Sequence, residues 1–283
     1  MAWPKIKNII ILILLGTNLG LLVFTVGREA RNYQLQEKAR ANAIAFLQEQ
    51  GIAVEEELVP KSVTLGPKYV TRDVEQERAL AAAVLDGEVS VQARGAEVYR
   101  YYNENGSIQF HSNGEFFAEF ADKAMEAGEK SLADHAREVL ERMGFQGQLN
   151  ETFQDEKKQG ETTLTFQENW EGVPLLTCQA SLNYRNGCLI SITNGRRLVG
   201  EPVEDSSNAP ITVATALMKF YTGMNTLGDV CRQIDGITQA YVVGSTISDP
   251  VPLTPVWCIT TDTGTYQLDM LTGALSRTLG LSI

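Results

Sequence analysis

Residues Ile9 to Val26 (IIILILLGTNLGLLVFTV) form an 18-residue run without a charged side chain. A helix rises about 1.5 Å per residue, so with interfacial flanks this run is long enough to span the apolar core of a bilayer. Trp3, Lys5 and Lys7 lie where interfacial anchors belong. A cleaved signal peptide is the competing reading, with Thr25-Val26-Gly27 as a small-x-small site. Such a peptide normally has an apolar stretch of about 7–15 residues, and no Ala-x-Ala follows here. The length favours a retained anchor. Lys5 and Lys7 precede the run, and Arg28, Arg31, Lys38 and Arg40 follow it. That count favours a cytoplasmic C-terminal side, yet long domains are translocated regardless of flanking charge. Charge alone leaves the side open.

Within the run, Gly16 and Gly20 make a small-xxx-small pair that lets another helix approach closely. Asn18 lies two residues from each, about 200° around the helix. One helix thereby offers a tight-packing face and a hydrogen-bonding face to two different partners. These three residues are the candidate partner-binding positions.

Charge separates the tail from the body. Residues 1–28 carry +3 and the other 255 carry −14. A body that acidic argues against nucleic acid as a partner, because such binding rests on neutralising phosphates. Hydrophobic residues are 43% of the chain, enough for a packed core.

The helical pattern continues through 28–50, with Leu35, Ala39, Ala43, Phe46 and Leu47 roughly on one face, and Gly51 ends it. Glu55-Glu56-Glu57 and Pro60 read as an exposed connection. Beyond it come three units, each a helix followed by short strands. The first helix runs from an Asp73 N-cap to Leu85, with strands at Glu97–Asn103, Ser107–Ser112 and Glu115–Phe120. The second opens on the capping box Ser131-x-x-Asp134 and precedes strands at about 161–168, 173–184 and 188–194. The third runs from Thr212 to Thr222, closed by Gly223, with strands at about 237–244, 255–261 and 265–270.

The fold class is therefore α+β: a single N-terminal transmembrane helix followed by helix-covered antiparallel sheets in two soluble domains. The boundaries are 1–27 for the anchor and its tail, 28–51 for a juxtamembrane helix, 52–128 for the first domain and 129–283 for the second.

Two hairpins have a register set by their patterns. A three-residue loop Arg185-Asn186-Gly187 pairs Tyr184 with Cys188 and Leu182 with Ile190, placing these with Ala180 and Ile192 on one face. The last hairpin turns at Thr261-Asp262-Thr263-Gly264 and puts Trp257, Ile259, Tyr266 and Leu268 on one face. In the first register Cys178 falls opposite Asn194, about 20 Å from Cys188, too far for a disulfide. Any bridge has to involve Cys231 or Cys258, and buried thiols are the expectation.

No catalytic constellation is present. His111 and His135 have no ligand-spaced partner, and structural or surface roles are expected for both. Gly-x-Ser-x-Gly, His-Glu-x-x-His, phosphate-loop and dinucleotide signatures are absent from the sequence. Gly95, Gly106, Gly114, Gly187, Gly195 and Gly264 read as turn punctuation, and Asp155-Glu156 as ordinary acidic surface. No catalytic residue, metal site or cofactor is expected, and the chain reads as a non-enzyme.

Three features resemble the YycI family of membrane-anchored two-component regulatory proteins. They are Trp3-Pro4-Lys5-Ile6-Lys7 before Ile9-Ile10-Ile11 and Asn18-Leu19; Gly51-Ile52 leading into Leu58-Val59-Pro60; and Leu253-Thr254-Pro255-Val256-Trp257-Cys258-Ile259 with Tyr266 and Leu271-Thr272-Gly273-Ala274-Leu275. The C-terminal pattern also resembles the wider PepSY-like group. The resemblance implies a single-pass cell-membrane protein with a cytoplasmic N-terminus and extracytoplasmic α+β domains. It also implies a YycH-type sister protein and modulation of a cell-wall sensor histidine kinase of the WalK (YycG) type through helix contacts. The runner-up is a PepSY-like extracytoplasmic module that inhibits or chaperones a protease.

Overall fold

A single helix, α1 (Trp3–Glu49), carries the apolar run and the polar stretch after it without a break. The computed structural model describes residues 3–95, 97–154, 160–244 and 249–278. Within α1 the side chains of 3–13, 16, 20, 23, 24, 26, 27, 29 and 30 lie outside the described residues. Gly51 stops the helix at φ 85°, a conformation glycine takes without strain, and the Ile52 N–H then donates to the Leu47 carbonyl at 2.9 Å.

In chain order there follow β1 (Ala53–Val54), a 3-10 turn (Glu56–Leu58) and β2 (Lys68–Val70). Next come α2 (Val74–Val84), β3 (Ser90–Ala93), β4 (Tyr99–Asn103), β5 (Gly106–Phe110) and β6 (Glu115–Phe120). Then α3 (Leu132–Arg142) leads into β7 (Gly147–Gln154), β8 (Glu161–Trp170), β9 (Val173–Arg185) and β10 (Cys188–Arg196). After β11 (Pro202–Glu204) come α4 (Val213–Leu227), β12 (Gln233–Val243), β13 (Val251–Thr261), β14 (Gly264–Asp269) and β15 (Leu275–Arg277). Asp73, Ser131 and Thr212 cap their helices by accepting from the backbone N–H of Gln76, Asp134 and Thr215.

The architecture is α+β with largely antiparallel pairing. One sheet has the order β3-β4-β5-β6-β10-β9-β8-β7. Its inner face buries Tyr101, Ile108, Phe110, Phe166, Leu182 and Ile192 beneath α2 and α3. The other sheet joins β11, β2, β13 and β12, with β14 and β15 beyond β13 and with β1 parallel to β12. Its core takes Phe220 from α4, Trp257 and Ile259 from β13, and Ala43, Ile44 and Leu47 from α1. Pairing of β6 with β10 runs straight across residue 128, so strands on both sides of that expected boundary share one sheet.

The last hairpin forms in the expected register, with Trp257 opposite Leu268 and Ile259 opposite Tyr266, all buried. The hairpin at Asn186 differs. Cys188 pairs with Arg185 around a two-residue Asn186-Gly187 turn, both at positive φ, rather than around a three-residue loop. Asn-Gly is the favoured tight hairpin turn, and the pairing slips by one residue further along. Leu189 then faces Tyr184 and Ile192 faces Leu182, while Ile190 is the residue absorbed by the bulge. Leu189 and Ile192 are buried; Cys188 and Ile190 are only half-buried. All four cysteines are free. In this register Cys178 stands seven residues along β9 from the partner of Cys188, about 23 Å away.

Two glycines expected as punctuation do other work. Gly223 does not close the third helix, which runs on to Leu227 with Gly228 as its cap at φ 71°. A Cβ at Gly223 would stand 2.6 Å from the Leu275 side chain, so the helix passes β15 there with no room for one. Gly195 lies inside β10, where a Cβ would meet Phe116 at 2.6 Å. Asp155-Glu156 lies outside the described residues.

Trp257 is 1% exposed at the centre of the second core. Trp257→Ala is expected to destabilise the body by about 3–5 kcal/mol in urea unfolding. A loss below about 1 kcal/mol would mean that this ring does not pack as described.

Candidate functional sites

Asn18 is exposed on α1. Gly16 and Gly20 belong to the same helix, and their surroundings lie outside the described residues, so the proposed division into two faces rests on helical spacing. The described apolar side chains around them are bare: Leu14, Leu15, Leu19, Leu21 and Leu22 are each 55–68% exposed. The Thr17 and Thr25 hydroxyls donate back to the carbonyls of Leu14 and Leu21 at 3.0 and 2.8 Å, the usual way a helix satisfies such groups without water. Among the described residues no helix is long and apolar enough to cross a membrane; much of the run from Ile9 to Val26 lies outside them.

At its other end α1 is fastened into the body. Leu47 is fully buried, and Phe46 meets Tyr221 of α4 edge-on at 5.2 Å between ring centres. Arg40 is buried and forks between elements. Its Nη2 donates to Glu37 at 2.7 Å and Glu56 at 2.6 Å, and its Nη1 to the carbonyls of Glu56 and Val59. The hydrogen bond to Glu37 raises the guanidinium's already high pKa and lowers that of Glu37. The planar five-donor fork of arginine makes this possible; lysine has no equivalent geometry.

The second site is a cleft of about 340 Å³ where the two sheets meet, lined by Glu168, Asn169 and Trp170 of β8 and its end, Arg197 after β10, and Val70 and Leu253 of the other sheet. Glu168 is 5% exposed, and its Oε1 accepts from Arg197 Nη1 at 2.8 Å. Arg197 Nη1 also donates to the Gly144 carbonyl at the end of α3. Glu168 Oε2 and Arg197 Nε have no hydrogen-bond partner among the described residues. Burial outweighs the attraction of Arg197 and pushes the Glu168 carboxyl up to about 7. Lys68 of β2 lies 4.8 Å from the centre of the Trp170 ring, a cation–π contact.

This site was missed in the sequence, although a signal was present. Leu164, Phe166 and Glu168 occupy alternate positions of one strand and all are buried, so Glu168 is a carboxylate in core phase. Arg197 had no comparable signal. It follows the strand and reaches Glu168 only because β10 and β8 flank β9.

The remaining candidates are structural. His135 is buried, with Nδ1 2.7 Å from the Tyr184 hydroxyl, and burial lowers its pKa. His111 pairs with Gln109 at 3.0 Å. Burial raises the Cys178 and Cys231 thiols and pushes Cys258 up to about 12, so these sulfurs stay protonated and unreactive at neutral pH. Among the described residues no group of His, Cys, Asp and Glu converges to hold a metal ion.

No family model and no curated protein matches the chain. Among solved structures it is similar to an uncharacterized protein from Eubacterium rectale, at 14% identity and a TM-score of 0.39, over 77% of this chain and 82% of that one. It is also similar to the C-terminal domain of Bacillus megaterium YpeB, at 14% identity and a TM-score of 0.39, over 76% of this chain and all of that one.

Glu168 generates a pH test. Its folded-state pKa is raised from 4.5 to about 7, so its stabilising contribution is complete below 4.5 and is lost as pH rises through 7. The full loss is about 3 kcal/mol at 1.36 kcal/mol per unit. In urea melts from pH 4 to 8, Glu168→Gln is expected to abolish this part of the pH slope. An unchanged slope would place the titration elsewhere.

Proposed function

We propose that the chain is a non-enzymatic, membrane-anchored regulatory protein whose body lies outside the cytoplasm and acts by contact with other proteins. The observation that carries this reading is the continuity of α1, which bears the apolar run with its described leucines exposed and is built into the second core through Ala43, Ile44 and Leu47. From Gly27 to Leu47 the helix spans about 30 Å, a stalk that joins the anchor to the packed body without a flexible joint. A tilt or displacement of the body is then passed to the anchor as the movement of a rod.

Regulation in this reading is a shifted equilibrium between two states of a partner, and it requires the anchor to contact those states with different free energies. Gly16 and Gly20 supply the close-packing face and Asn18 the hydrogen-bonding face. The resemblance to YycI supplies the particular partners: a YycH-type sister protein and a sensor histidine kinase of the WalK type.

Topology is the first test. Cys231 and Cys258 are buried, so a labelling experiment needs a surface thiol, and Val230 is 76% exposed. Val230→Cys is expected to react with a membrane-impermeant maleimide in intact cells. Reaction only after lysis would put the body in the cytoplasm and end the proposal.

The second test concerns the anchor. Gly16→Leu with Gly20→Leu is expected to weaken co-purification of the kinase or sister protein while membrane insertion stays normal. Asn18→Leu is expected to act less strongly and on one partner only, since a buried amide contributes about 0.6–2 kcal/mol in lipid. Wild-type association and kinase output in both variants would reduce the helix to a tether.

A further inference from the structure

Among the described residues, buried charges elsewhere are engaged on every side. Arg72 and Glu77 share two hydrogen bonds, and Arg40 meets two carboxylates and two carbonyls. The pair in the cleft between the sheets is the exception. Glu168 Oε2 and Arg197 Nε are buried without a partner among the described residues, and both side chains line the cleft. A buried polar group left unsatisfied costs free energy that a bound molecule recovers by pairing with it.

Local structure singles out Glu168. Pairing of β8 with β9 passes from Gln167 to Asn169 and skips it, so the carboxylate sits at a bulge. Bulges re-aim a side chain and recur beside binding sites. Around the pair the walls are apolar. Val70, Leu175 and Leu253 are buried, and Leu198 and Trp170 are half-buried. The volume of about 340 Å³ is that of a small-molecule site at the lower end of the usual range.

The pair dictates the chemistry of the occupant. An ionised carboxylate only accepts and a guanidinium only donates. A molecule that serves both brings one donor and one acceptor. Because both partners are ionic, an ammonium and a carboxylate make the strongest bonds to them. The pair is neutral in sum, so a zwitterion adds no net charge to a buried place. The apolar walls take an aliphatic or aromatic side chain. We propose that this cleft binds a free α-amino acid with an apolar side chain, its ammonium on Glu168 and its carboxylate on Arg197.

Binding forms no covalent bond, but it moves a proton. Burial keeps the Glu168 carboxyl protonated up to about pH 7. An ammonium pairs with the ionised form, so below pH 7 the incoming ligand displaces that proton to solvent and affinity falls as pH falls. Arg197 is the charge acting on Glu168, and the Cys178 thiol of β9, which feels Glu168, stays neutral. Glu171 also lines the cleft, and Lys68 lies over the Trp170 ring. Neither histidine lines it. The inference rests on the cleft, independently of the anchor and of any kinase.

The test titrates the full chain in lipid nanodiscs with L-leucine and L-phenylalanine and follows binding by calorimetry. At least one is expected to bind saturably at pH 8, about tenfold or more weakly at pH 5, and with proton release to the buffer at pH 6. Neither end group of a free amino acid titrates in that range. The decarboxylated amine and the N-acetyl amide of the bound amino acid are each expected to bind about tenfold more weakly, equivalent to about 1.4 kcal/mol. Glu168→Gln is expected to lose affinity by a similar factor at pH 8 and to lose the pH dependence. At pH 5, where Glu168 is itself neutral, its melting temperature is expected to match the wild type. The proposal is overturned by the absence of saturable binding of either amino acid up to about 1 mM at pH 8. It is overturned equally by an amine or amide that binds as tightly as the amino acid, by wild-type affinity in Glu168→Gln, or by an affinity unchanged between pH 5 and 8.

Discussion

Strand β9 is the element on which the two halves of the body depend. Its thirteen residues are more than one sheet uses. From Ser181 to Arg185 it lies between β8 and β10, while near its start Leu175 pairs in parallel with Tyr241 of β12. A single extended segment cannot bend sharply between those roles, so both sheets are fixed in relation to one another by one backbone. The cleft that holds Glu168 and Arg197 exists because β8 and β10 end on either side of that shared strand.

The same economy governs the buried charges. Arg40 has no aqueous exposure to speak of and is satisfied by Glu37, Glu56 and two carbonyls. Arg72 and Glu77 form a close pair in which Nε and Nη2 of the arginine meet both carboxylate oxygens at 2.6 and 2.9 Å. Glu168 and Arg197 are different, because each keeps an unpartnered polar atom. A buried pair that is only half satisfied gains little from its own attraction and is the place where protonation shifts most readily. That contrast makes Arg40 and Arg72 fasteners and Glu168 a responsive group.

The body's two faces divide its chemistry. Inward, α2, α3 and α4 cover apolar rows whose periodicity is ordinary. Outward, the strands β8 to β10 carry hydroxyls, amides and the Arg185–Glu161 ion pair, and the helix α1 leaves the body as a stalk. A stiff element thereby connects the packed body to the apolar run.

Much of this was legible in the chain. The apolar run, the N-caps at Asp73 and Ser131, the helix stop at Gly51 and the register of the last hairpin follow from local rules, because each depends on residues close in sequence. The Asn186-Gly187 hairpin shows where local rules conflict. Apolar alternation favoured a longer loop, whereas the backbone preference of Asn-Gly prevailed and a bulge at Ile190 realigned the buried set. The short strands β1, β2, β11 and β15 carry almost no pattern of their own, since two or three residues become strands only when a neighbour supplies hydrogen bonds. The role of Gly223 depended on Leu275, fifty-two residues away. By itself, then, the sequence determined the α+β class, the apolar helix and most element ends. Only the tertiary structure decided that β6 joins β10 across the expected boundary and that Glu168 meets Arg197. Those outcomes depend on strand order, and strand order is set by the packing of the whole chain rather than by any local stretch of it.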